Sequence, residues 1–153
     1  MWLTVMIVLA AIFNVATPAK AAEPPAAVQQ WKLDGIQLGD KASRVKGAWG
    51  NPFKVAEDNL TGCKVWKYRE GKSVGMCDGV VSFVQVTAEA GSAVINRKSV
   101  PMVQSKLKQA LGKPAFVADD GWGVLKGEEA LKVFVDNRGK LLSIELFADP
   151  CGV

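Results

Sequence analysis

A short amphipathic segment that stops at Gly-x-Pro occurs twice in this chain, and the repetition narrows the fold more than any other feature. Residues 40–52 read DKASRVKGAWGNP and residues 102–114 read MVQSKLKQALGKP. Ser43, Val45, Gly50 and Pro52 correspond to Ser105, Leu107, Gly112 and Pro114. In the first segment Ala42, Val45 and Trp49 share a face at helical spacing, with Asp40 as the expected N-cap. In the second the stripe is Val103, Leu107, Ala110 and Leu111, with Ser99 as the expected N-cap. Each glycine suits the left-handed position just past a helix end, and the proline two residues on forbids continuation.

After each segment the hydrophobic period switches to two. Strands are expected over residues 63–69, 72–77 and 80–87, with a turn at Asp78-Gly79, and over 122–126, 130–136 and 140–147, with turns at Gly127 and Asn137-Arg138-Gly139. The reading is an α+β domain. Two copies of a helix followed by a three-stranded antiparallel meander (31–88 and 95–148) join in one sheet with helices on one face, within a single domain 31–153.

Ahead of the domain, residues 3–15 form an apolar run, LTVMIVLAAIFNV, followed by Ala19-Lys20-Ala21. The run is shorter than the ~20 residues of a spanning helix and is followed by a small-x-small site, so residues 1–21 read as a signal peptide. No Lys or Arg precedes the run, which leaves retention as an anchor as the alternative. No Cys lies near the cleavage site, so a lipidated N-terminal Cys is not expected. Residues 22–30 are a Pro/Ala-rich tether. Cleavage removes Lys20 and lowers the formal charge from +4 to +3, too little to argue for nucleic acid. The expected location is the periplasm or the exterior.

Export permits disulfides, and the chain holds Cys63, Cys77 and Cys151. A three-residue loop at Arg69-Glu70-Gly71 would set Cys63 directly opposite Cys77, at a separation a disulfide can bridge. Cys151 is then a terminal thiol, a link to a second molecule, or the true partner of Cys63.

The tandem helix, Gly-x-Pro stop and meander resembles the β-lactamase-inhibitor-protein fold, shared with small outer-membrane assembly lipoproteins of the SmpA/OmlA type. The residues that carry the resemblance are IQLGDKASRVKGAWGNP (36–52), VWKY (65–68) and DGVV (78–81). It implies a fold, and a class: a non-enzymatic protein-binding module of a bacterial envelope or the exterior.

Chemistry is sparsely signalled. The chain has no His, which removes the commonest general base and metal ligand. Asp119-Asp120 and Glu128-Glu129 are adjacent carboxylates, read as solvated turn charges. Asn59-Leu60-Thr61 matches a glycosylation acceptor, without meaning in a bacterial protein. Lys41, Arg44, Lys46, Lys98, Lys106 and Lys108 lie on polar helix sides; the functional version of that surface is attraction to acidic headgroups or an acidic partner.

Two readings of the sheet faces stand side by side. In the second copy Leu131, Val133, Val135, Leu142, Ile144 and Leu146 alternate towards the helices, leaving Lys132, Phe134, Ser143, Glu145 and Phe147 opposite. Carrying that register to the first copy puts Val65, Cys77, Val84 and Val86 inside. Trp66, Tyr68, Phe83, Phe134 and Phe147 then form an aromatic binding face, with Met76 beside them. Local hydrophobicity supports the other reading, in which Trp66, Val74 and Met76 are core.

The expected function is an exported, non-enzymatic protein-binding module, of inhibitor or assembly type, using the open sheet face. The alternatives are a small hydrolase using carboxylates and a binder of a small apolar or lipid ligand. The expected partner is another protein, with no cofactor or metal and at most a peripheral membrane contact. Export predicts a mature N-terminus at or near Ala22, to be checked by intact-mass measurement on secreted protein.

Overall fold

The computed structural model of the chain describes residues 30–59 and 61–148. The expected signal segment, nearly all of the expected tether, Leu60 and Cys151 lie outside the described residues. The two Gly-x-Pro segments form α1 (Ala42–Trp49) and α2 (Gln104–Leu111). Gly50 and Gly112 close them at φ 79° and 80°, each donating its N–H to a carbonyl four residues back, Lys46 and Lys108. The helix starts differ from expectation. The N-caps are Lys41 and Val103, without a side-chain cap. Asp40 instead accepts the Gln37 N–H at 3.0 Å, and Ser99 belongs to a strand.

Four strands of the large sheet follow each helix, where three were expected. After α1 come β1 (Lys54–Glu57), β2 (Lys64–Tyr68), β3 (Lys72–Cys77) and β4 (Val80–Thr87). A 3₁₀ turn (Ala88–Ala90) and a separate hairpin, β5 (Ser92–Ile95) with β6 (Lys98–Pro101), lead into α2. After α2 come β7 (Phe116–Ala118), β8 (Gly121–Lys126), β9 (Glu129–Val135) and β10 (Leu141–Ala148). The extra strands β1 and β7 are short edges just past the two prolines, too brief for a period of two to show. The eight-stranded sheet is antiparallel in the order β1-β2-β3-β4-β10-β9-β8-β7.

Directly opposed residues share a face, so the register assigns every side chain. One row runs Val55, Trp66, Val74, Val84, Leu146, Leu131, Val124. The next on the same face runs Tyr68, Lys72, Val86, Ile144, Val133, Trp122, Val117. This is the core face: from Val74 to Val124 and from Val86 to Trp122 these residues join Val45 of α1 and Leu107 of α2 in one apolar cluster. Leu33, Ile36, Ala93, Ile95 and Val100 of the N-terminal stretch and the small hairpin complete it.

Asp34 ties that covering layer down. Its carboxylate pairs with Lys72 of β3 at 2.8 Å and accepts the Val94 N–H at 2.6 Å, and its carbonyl accepts the Trp49 indole N–H at 2.9 Å. The side chain is 6% exposed, so the charge is held by its partners rather than by water.

Cys63 and Cys77 are disulfide-bonded with Cα atoms 4.7 Å apart, one step beyond the pair Lys64↔Met76, as the three-residue hairpin loop requires. The bond closes the β2–β3 hairpin, which carries Trp66 and Val74 of the core face. Among the described residues no helix is long and apolar enough to cross a membrane. The Cys63→Ala/Cys77→Ala double variant is expected to lose about 3 kcal/mol of stability, the loop-closure entropy for a link of this span. Urea denaturation with and without reductant checks it: reduction should cost the wild type a similar amount and leave the variant unmoved.

The outer sheet face as candidate functional site

The face turned away from the helices is built by the alternate residues of the same strands. Its first row runs Val65, Gly75, Phe83, Phe147, Ala130, Leu125. The second runs Lys67, Ser73, Gln85, Glu145, Lys132, Gly123, Phe116. The third holds Thr87, Ser143, Phe134 and Gly121. None of these residues belongs to the core cluster.

Phe83, Phe134 and Phe147 therefore share the outer face, whereas Trp66 and Tyr68 do not. Tyr68 packs edge-on against Trp49 of α1, with ring centroids 5.1 Å apart, and its hydroxyl donates to the Gly50 carbonyl at 3.3 Å. Burial raises its pKa. Trp66 packs against the core with the Lys46 ammonium 5.4 Å from its ring. Met76 is buried with them, and Val65 is on the outer face.

The cause is one residue. The β3–β4 register shifts between Gly75 and Met76: Met76 faces Val81 but Gly75 faces Phe83, leaving Ser82 as the bulge. Without that insertion Val84 would oppose Ser73, and Val65 and Cys77 would turn inward, as the carried-over register had it. A second shift, between Leu141 and Ser143 on β10, gives Leu141 the core position and leaves Leu142 49% exposed, contrary to its expected place inside.

The bulge also positions the site. Gly75 sits beneath the Phe83 ring, and a Cβ there would collide with it; Gly123 is covered by the Phe116 ring in the same way. Ala130 and Ser143 are likewise buried small residues of this face. The rings thus lie low over gaps in the pleat, and all four phenylalanines are half-buried. Phe116 was not foreseen; a lone Phe beside Pro114 carries no period.

Between the rings runs a polar line. Ser73 Oγ donates to Gln85 Oε1 at 3.4 Å, and Gln85 Nε2 donates to Glu145 Oε2 at 3.1 Å. Lys132 ion-pairs with Asp120 at 2.7 Å and stands 4.4 Å from the Phe134 ring. Loss of water around Glu145 raises its pKa, against the smaller opposing effects of the Gln85 hydrogen bond and the Lys132 charge. The Lys132 hydrogen bond lowers that of Asp120.

The adjacent carboxylates of the sequence are dispersed. Asp120 lies just ahead of β8 and Glu129 opposite its last residue, Lys126, about 20 Å along the strand at roughly 3.3 Å per residue. Glu129 is buried rather than solvated, because it accepts the Trp31 N–H at 2.8 Å. Among the described residues no three His, Cys, Asp or Glu side chains group as a metal site would need. Lys41, Arg44, Lys46, Lys98, Lys106 and Lys108 are all exposed.

No family model matches the sequence, and no curated protein matches it. By structure the chain is similar to an extracellular protein containing a SCP domain from Bacillus anthracis str. Ames. The TM-score is 0.56 at 11% identity, over 89% of this chain and 50% of that one. A DUF4309 family protein (YjgB) from Bacillus subtilis subsp. subtilis str. 168 aligns with TM-score 0.45 at 13% identity, over 71% of this chain and 78% of that one. The first likeness is one of fold, and this chain spans half the length of that protein. Neither match is to a β-lactamase inhibitor or an SmpA-type lipoprotein.

Two variants test these placements. Trp66→Ala should cost about 2 kcal/mol or more in chemical denaturation, as for an aromatic packed on a core. Glu145 binds its proton more readily folded than unfolded, so its carboxylate opposes folding above the raised pKa, and stability is recovered as pH falls towards the ordinary value. Glu145→Gln should therefore melt at or above the wild-type temperature at pH 7, and the difference should shrink as pH falls through the raised pKa. Thermal melts across that range read both.

Proposed function

We propose that this is an exported, non-enzymatic protein-binding module that engages its partner with the outer face of the large sheet. The observation that carries the reading is a half-buried phenylalanine set, Phe83, Phe116, Phe134 and Phe147, on a sheet face outside the core cluster. Low-lying rings set among small residues give apolar contact area at little conformational cost, which is what binding hot spots use. The Cys63–Cys77 bond supports an oxidising compartment, and the fold shared with an extracellular protein is in keeping with it. The periplasmic or secreted location and the cleaved signal segment belong to this proposal.

The element order supports descent from a duplicated helix-plus-strands unit, and with it the β-lactamase-inhibitor or SmpA/OmlA type of architecture. In that reading β4 and β10 are equivalent strands meeting at the centre. The dispersal of the paired carboxylates along β8 weighs against a carboxylate hydrolase.

A partner recovered from envelope extract with the wild-type protein should bind the Phe147→Ala variant at least about 2 kcal/mol more weakly, while melting within a few degrees of wild type. Calorimetry with the purified partner measures it. Undiminished binding by Phe83→Ala, Phe134→Ala and Phe147→Ala alike would remove the outer face as the site.

A further inference from the structure

Glu145 is the unexplained group of the outer face. It stands mid-strand on β10, in the central strand pair of the sheet, between Gln85 on β4 and Lys132 on β9. A carboxylate at such a position is costly unless a cation or several donors answer it. Among the described residues its one hydrogen bond is at Oε2, from the neutral Gln85 amide. The cation opposite it, Lys132, acts on it by charge while its ammonium pairs with Asp120 at 2.7 Å and lies over Phe134. The register surrounds Glu145 with rings, Phe147 two residues on, Phe83 diagonal to it on β4 and Phe134 diagonal on β9. Aromatic faces attract cations, and a carboxylate between them adds charge and directed acceptors.

Resting on the outer face as the protein-binding surface, we infer that Glu145 and its phenylalanine surround receive an arginine side chain of the partner. The guanidinium would donate to the carboxylate while its planar group lies against the rings, a geometry a lysine ammonium fits less well. Docking would add donors directed at the carboxylate, which in the free protein has one hydrogen bond from Gln85 and the charge of Lys132. It would also explain why the polar line between the rings carries an acid at its centre.

The test is an NMR titration of ¹⁵N-labelled protein with two capped peptides, acetyl-Leu-Arg-Leu-amide and acetyl-Leu-Gln-Leu-amide. The arginine peptide should shift the amides of β4, β9 and β10 around Gln85, Lys132 and Glu145, saturating at least about fivefold more tightly than the glutamine peptide. In the Glu145→Gln variant, whose spectrum verifies its fold, that preference should vanish while weak binding of both peptides remains. Equal binding of the two peptides by the wild type, at this face, would overturn the arginine inference and leave the binding face standing. Shifts that avoid these strands altogether would overturn both.

Discussion

The pairing of β4 with β10 is the joint on which the rest of the molecule depends. Val84 against Leu146 and Val86 against Ile144 are fully buried pairs at the middle of an eight-stranded sheet. Neither set of four strands, closed on itself, would cover these residues; each set ends in a strand whose core side requires the other. The joint also fixes the outer face, because the same pairing sets Phe83 against Phe147 and Gln85 against Glu145. Core and candidate site are two sides of one register. A change that slips this ladder by one residue would exchange them.

Much of this architecture was legible in the residues. Both helices sit within a few residues of their expected places because Gly50-x-Pro52 and Gly112-x-Pro114 leave little freedom. The six longer strands follow from alternation, and the hairpin at Glu70 follows from its turn, carrying the Cys63–Cys77 pairing with it. The short strands β1, β5, β6 and β7 were missed: three or four residues hold one or two alternations, too few to stand out.

The candidate site was half legible, and the reason is local. Phe134 and Phe147 lie on a strand pair whose alternation is plain from sequence. The outward reading of Trp66 and Tyr68 carries the second copy's register onto the first, which the interruption of the β3–β4 pairing defeats. Ser82, the residue that breaks the pairing, looks like any other alternating polar position, since a bulge is a property of two strands together. The competing evidence of bulk, Trp66 with Val74 and Met76, gave the right faces. Glu145 was visible as a lone acid in an apolar strand, but its place beside Gln85 depends on the pairing with β4, 60 residues away in sequence.

The two rims of the sheet are defended unequally. β1 carries Lys54 and Glu57, charges that discourage a neighbouring strand from zipping on, whereas β7 is Phe-Val-Ala with Val117 78% exposed. Brevity is the main protection on the β7 side: three residues offer an incoming strand few hydrogen bonds. Should Pro114 or the Asp119-Asp120 turn that bounds it be replaced by strand-forming residues, the rim would lengthen into a sticky template, and self-association would begin there while the β1 rim stayed quiet.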